Sequence, residues 1–118
     1  MAQYRITHDA RDDIVDALGY TQVQFGAEAR RRYQSLILTA FGSFAEQPER
    51  IGSLARDELA EGIRSLHLIY CRGKAAGGRI ARPRHVVFYR LGADQVVEIV
   101  RLLHEAMEVK RHLPSRGA

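Results

Sequence analysis

Three residues in the second half of the chain have the types needed for chemistry on an anionic substrate. Arg64 and Arg101 sit inside apolar, strand-like runs, and His104 follows the second run. A guanidinium among apolar residues must find an acid or an open face, because burying it unpaired is costly. The two arginines and the histidine could together bind a phosphodiester and supply an acid or base for RNA cleavage. The plainer alternative pairs the arginines with Glu98 or Glu105, or leaves them on an edge.

Other chemistries find little support. The histidines are His8, His67, His85, His104 and His112, and no two are four apart on one helix face. Cys71 is the only cysteine, so no thiolate metal site and no internal disulfide can form. No metal and no cofactor is expected. The serines lack a Gly-x-Ser-x-Gly frame. Cys71 borders a cationic stretch that would favour its thiolate, although an incidental thiol is the simpler reading. Gly73-Lys74 superficially resembles a phosphate loop. Ala75 stands where Ser or Thr is needed, and no helix follows, so that motif is rejected.

The most charged segment is Cys71 to Arg84. It holds Arg72, Lys74, Arg79, Arg82 and Arg84, no acid, and Gly73, Gly77, Gly78 and Pro83. This composition predicts a basic hairpin loop over 71–84, either solvated or contacting phosphate or an acidic partner.

The elements that position these residues follow from periodicity. Tyr4 to Thr7 predicts an opening strand. Thr7 or Asp9 then caps a helix, with Asp12 and Asp13 in its first turn. Ala10, Ile14, Ala17, Leu18, Thr21 and Phe25 form its apolar stripe, and Gly26 ends it. A second helix runs from Ala27 to Glu46 on Ala29, Tyr33, Leu36, Ile37, Ala40 and Phe44, and stops before Pro48. The two helices should pack as a hairpin. Residues 48–61 read as irregular, with one helical turn near Arg56–Leu59. The period then falls to two. Ile63–Tyr70, His85–Leu91 and Val96–Leu103 are three strands, the last central, with a turn at Gly92–Gln95. A short helix is expected over Glu105–Leu113. The fold class is α+β: a strand, a helical hairpin, then a three-stranded antiparallel meander in a single domain over 1–118.

Length and composition agree. The 118 residues suit one domain, since ~100–200 residues is the usual size. At 46% hydrophobic and 27% charged, disorder and low complexity are poor readings. No stretch approaches the ~20 apolar residues of a membrane span, and charges interrupt any leader-like run near the start. With one cysteine, these features point to the cytoplasm. The net charge of +4 is unevenly spread. Residues 1–61 carry 7 Lys/Arg and 10 Asp/Glu, whereas residues 62–118 carry 11 and 4.

The order of elements and several segments resemble the ParE/RelE toxin superfamily, ParE in particular. The segments are the helix from Ala10 to Gly26, with Ile14, Leu18, Tyr20 and Phe25; Gln47-Pro48-Glu49-Arg50-Ile51-Gly52; and Gly62-Ile63-Arg64-Ser65-Leu66. His85-Val86-Val87-Phe88-Tyr89-Arg90 and Ile99-Val100-Arg101-Leu102-Leu103-His104-Glu105-Ala106-Met107 complete the set, and the last is the most specific. The likeness spans about residues 4–113.

The resemblance implies a toxin of a type II toxin–antitoxin pair that inhibits DNA gyrase. It implies neutralisation by a ParD-type antitoxin laid against the helical hairpin and sheet, in a heterotetramer or larger assembly. By the same likeness, Ala17, Leu18, Phe25 and Tyr33 are candidates for the antitoxin-facing groove. Two departures stand out. The basic loop is longer than the tight hairpin usual in the family, and no tyrosine follows Tyr89. The RNA-cleaving relatives use a basic cluster with a tyrosine or histidine near the C-terminus. Only Arg64, Arg101, His104 and His112 could replace it, so a ribosome-dependent mRNA interferase is the alternative reading. A chain that has lost toxicity and serves as a regulatory module is a third.

Overall fold

A computed structural model describes residues 3–74, 82–107, 109 and 113. The chain forms strand β1 (Tyr4–Ile6), helices α1 (His8–Phe25) and α2 (Ala27–Glu46), and strands β2 (Leu54–Ala55) and β3 (Arg64–His67). A 3-10 helix over Leu68–Lys74 follows, then β4 (His85–Leu91) and β5 (Val97–His104). The five strands make one sheet in the order β1-β5-β4-β3-β2. β1 runs parallel to β5, and the other pairs are antiparallel. β5 therefore has neighbours on both sides, as its apolar composition implied.

The helical hairpin is built locally. Thr7 caps α1: its Oγ1 accepts the Ala10 N–H at 3.1 Å. The helix thus begins at His8, earlier than expected, and only Asp9 lies in its first turn. Asp13 is turned instead toward β5. Gly26 joins the helices at φ 96°, a region that L side chains avoid, so glycine permits the abrupt turn. The core stripe of α1 runs out before its end: Ala10, Ala17 and Leu18 are buried, whereas Phe25 is exposed.

The hairpin packs on one face of the sheet. Leu36, Ile37, Ala40, Phe41 and Phe44 meet Leu66, Val87, Tyr89 and Ile99 there. Phe44 stacks on Tyr89 with ring centroids 4.3 Å apart. The opposite face carries a smaller cluster of Ala60, Ile63, Phe88, Leu103 and Leu113.

One expected strand boundary changes. The strand read over Ile63–Tyr70 stops at His67, and the chain tightens into the 3-10 helix. The reason is burial. Such a helix places residues three apart on one face, which sends both Leu68 and Cys71 into the core against α2. The loop expected from Cys71 onward therefore starts inside an ordered element. The 48–61 segment also holds the edge strand β2, too short at two residues to leave a periodic signal. The expected turn near Arg56 is present, with Leu59 N–H donating to Arg56 C=O at 2.9 Å. Most of the expected tail helix lies outside the described residues, and Glu105–Met107 form a turn and bend.

Gly52 holds a second special position. Its φ is 97°, and a Cβ there would fall 2.7 Å from Tyr70 Cγ. Gly52→Ala is expected to cost about 1–2 kcal/mol from the left-handed backbone and the displaced ring. Gly19 of α1 has open space around its Cβ position. Gly19→Ala should be neutral or stabilise by up to about 1 kcal/mol. Urea midpoints of the two variants check the contrast, and equal shifts would contradict it.

Candidate functional site

Three histidines meet at one end of the sheet, where β3 stops, β4 begins and β5 ends. Register places His85 opposite His104, and His67 opposite Val86. His85 and His104 face the helices, with their rings edge-on at 5.5 Å. Tyr33 of α2 reaches down to them. Its hydroxyl accepts the Arg84 N–H at 3.1 Å and lies 2.6 Å from His85 Nδ1. In the tautomer that carries its proton on Nε2, His85 Nδ1 accepts the hydroxyl's one proton. Burial pushes the Tyr33 hydroxyl up to about 12. Burial, helped by His104 and His67, pushes His85 down to about 4. The pair is neutral at pH 7, which makes it a structural bond rather than an acid–base couple.

On the other side of the same edge, Glu105 gathers two donors. His67 Nε2 lies 2.7 Å from Glu105 Oε1, and Arg84 Nη1 lies 3.0 Å from Oε2. His67 Nδ1 accepts the Ile69 N–H at 3.1 Å, which leaves the imidazole proton on Nε2 for Glu105. The backbone joins in, with Glu105 N–H donating to Arg84 C=O at 2.8 Å. The His67 hydrogen bond, then that of Arg84, hold the Glu105 carboxyl at about 2. A groove of about 330 Å³ opens beside this trio, walled by Ile69, Pro83, Arg72 and Arg82.

The basic segment is therefore partly assembled. Arg72, Arg82 and Arg84 converge on the groove. Lys74 ends the 3-10 helix. Its side chain, and all of Arg79, lie outside the described residues.

Arg64 and Arg101 take other partners than those considered. Glu98 is engaged by Arg90 at 3.0 Å, and Glu105 by His67 and Arg84. Arg64 Nε donates instead to Ser53 Oγ at 2.7 Å, which in turn lies 2.5 Å from the Tyr89 hydroxyl. Arg101 grips Asp13 with Nε at 2.7 Å and Nη2 at 2.9 Å. The three candidates do not converge. Arg64 lies opposite Tyr89 and His104 opposite His85, so four residues of β4, about 13 Å, separate them along the strand.

Ala17, Leu18 and Tyr33 lie in the core between hairpin and sheet. Phe25 is 72% exposed at the hairpin tip. Val15, Tyr20 and Val23 are exposed on the same helix. The His67–Glu105 and His85–Tyr33 pairs join residues 38 and 52 positions apart, and no local pattern in the sequence signals either. His8, Asp9 and Asp12 bring three ligand-type atoms within 4.8 Å of one another, all exposed near the start of α1. Among the described residues, no helix is long and apolar enough to cross a membrane.

Comparison with known proteins gives a consistent answer. Residues 4–109 match the family model for the ParE toxin of the type II toxin–antitoxin system parDE. The chain is 32% identical over 114 residues to Toxin ParE1 of Caulobacter vibrioides, covering 96% of this chain and 99% of that protein. It is 28% identical over 112 residues to Toxin ParE1 of Mycobacterium tuberculosis, covering 95% and 98%. Its fold is similar to a chain of the solved chromosomal ParDE TA system from P. aeruginosa, with TM-score 0.64, 15% identity and coverage of 88% and 96%. A sheet with a helical hairpin on one face, and a match along nearly all of its length, place this chain in the ParE toxin family of type II toxin–antitoxin systems.

Proposed function

We propose that this toxin acts in the cytoplasm by inhibiting DNA gyrase, and that a ParD-type antitoxin silences it in a heterotetramer or larger complex. The observation that carries the reading is the family match over residues 4–109. Two local features support it. Arg101 is neutralised by Asp13, and Arg64 lies four residues of β4 away from His104, so the three do not assemble a site for RNA cleavage. Val15, Tyr20 and Val23, exposed within about 140° of the surface of α1, offer apolar area for a partner segment.

The purified protein, added to a gyrase supercoiling reaction, is expected to inhibit at micromolar concentration. Equimolar product of an adjacent antitoxin-like reading frame should restore supercoiling. Gyrase that remains fully active, with cleavage of ribosome-bound mRNA seen by primer extension, would replace this reading with that of an mRNA interferase.

A further inference from the structure

The groove at the end of the sheet has a chemistry that the family reading does not use. We propose that it is a carboxylate-recognition site for an acidic peptide segment, and that Glu105 is its built-in competitor. The site already displays the interaction it would make. Glu105 lies in it as a carboxylate, with His67 Nε2 at 2.7 Å and Arg84 Nη1 at 3.0 Å. Arg82 lines the same groove, is exposed, and makes no hydrogen bond or ion pair among the described residues. An incoming carboxylate can take Arg82 in a paired, charge-assisted hydrogen bond. It can then share or take over Arg84.

The walls decide between ligand classes. Ile69 and Pro83 supply apolar area beside the guanidinium groups. Such a mixed wall suits a peptide whose acids are flanked by apolar side chains. A nucleic-acid backbone has no apolar side chain to lay on Ile69 and Pro83, and would leave that wall uncovered. About 330 Å³ is room for one or two side chains and not for a folded element.

Glu105 is placed to yield. It lies on the turn directly after β5, and its side chain is 36% exposed. Swinging outward would hand its two donors to the ligand. The internal carboxylate therefore weakens binding of any external acid that cannot match it, which makes it a selectivity filter.

The inference rests on the proposed function only for the source of the acid, which is a toxin's protein partner. The test is a titration of the isotope-labelled full chain with the peptide Ac-Glu-Leu-Glu-Leu-amide, followed by amide NMR shifts. Shifts should centre on Ile69, Arg82, Arg84 and Glu105, and binding should weaken as salt rises. Glu105→Gln keeps the shape and removes the charge, and should tighten binding about three- to tenfold. Arg82→Ala touches no described partner, so it leaves the fold intact and should weaken binding by a similar factor.

Shifts elsewhere, or Arg82→Ala binding as the parent does, overturn the site. Glu105→Gln binding no tighter, with unchanged amide shifts outside the groove, overturns the competitor role. An eight-nucleotide oligothymidylate that binds the same residues more tightly than the peptide overturns the ligand class in favour of nucleic acid. A chain that inhibits gyrase but ignores the peptide sinks this inference alone. A chain that binds the peptide and leaves gyrase active sinks the gyrase reading alone.

Discussion

Asp13→Ala is expected to destabilise the fold by about 3–5 kcal/mol, the usual cost of removing one partner of a largely buried ion pair. The carboxylate serves three donors at once. Arg101 Nε and Nη2 lie at 2.7 and 2.9 Å, and the Leu102 N–H donates at 2.9 Å. The side chains of Arg101 and Asp13 are only 17% and 13% exposed. The arrangement follows from the length of β1. That strand pairs with β5 only as far as Ile6 opposite Ile99, and Thr7 N–H adds one last bond to Ile99 C=O. Beyond this point the edge of β5 faces α1, which has no backbone groups to offer it. Asp13 fills the place of the missing strand for Leu102 and neutralises Arg101 in the same stroke. Its hydrogen bond raises the Arg101 guanidinium above its ordinary value. Removing it strands a cation and an amide together. Urea denaturation should also show coupling of about 1.5–3 kcal/mol in the cycle of Asp13→Ala, Arg101→Ala and the double variant. A single-variant loss under 1 kcal/mol would remove Asp13 from this role. The functional consequence is direct. Loss of toxicity in Arg101→Ala then reports a damaged fold, and only a catalytic defect with unchanged stability would speak for RNA cleavage.

The Asp13–Arg101 pair also marks the limit of what the chain discloses on its own. The helical hairpin was legible because its signals are local: Thr7 as a cap, Gly26 between two apolar stripes, and Pro48 after the second. β4 was legible from the alternation and β-branched content of His85–Leu91. Partners 88 positions apart carry no such signal. Asp13 looks like an ordinary acid near the start of a helix, and Glu98 and Glu105 are nearer candidates for Arg101. The end of β3 was hidden for another reason. Leu66 and Leu68 continue the alternation of a strand, but a spacing of three to Cys71 suits a tight helix, and burial against α2 selects it. The groove residues were half visible. The arginines announced themselves by density, whereas Glu105 gained its meaning only when the sheet placed it beside His67 and Arg84.

Acid should weaken this fold as the pH falls from about 6.5 toward 4. His85 is held down to about 4 in the folded chain, first by burial and then by the nearby His104 and His67. An unfolded histidine titrates near ~6.5. Between these values the unfolded chain binds the proton and the folded chain does not, so stability falls as pH falls. The contribution is complete above about pH 6.5 and is lost as the pH drops toward 4. From pH 7 to 4.5 the loss should be on the order of 2 kcal/mol, at 1.36 kcal/mol per unit and discounted for partial exposure. Glu105, held at about 2, works in a lower window. Its stabilisation is present above its unfolded value near ~4.3 and disappears as the pH falls through 2, so it does not blur the His85 range. The other groups facing His85 are Asp13 and Glu105, whose charges oppose its shift, and the neutral Tyr33 hydroxyl. Protonating Nδ1 would also turn it from an acceptor into a donor, so the Tyr33 hydroxyl would have to accept there and send its own proton elsewhere. Replacing the imidazole with an amide separates the two effects. His85→Gln keeps an acceptor for Tyr33 and cannot titrate. Its stability should be flatter between pH 7 and 4.5 than that of the parent, measured by urea midpoints at each pH. A variant that tracks the parent over that range would show that the proton goes elsewhere.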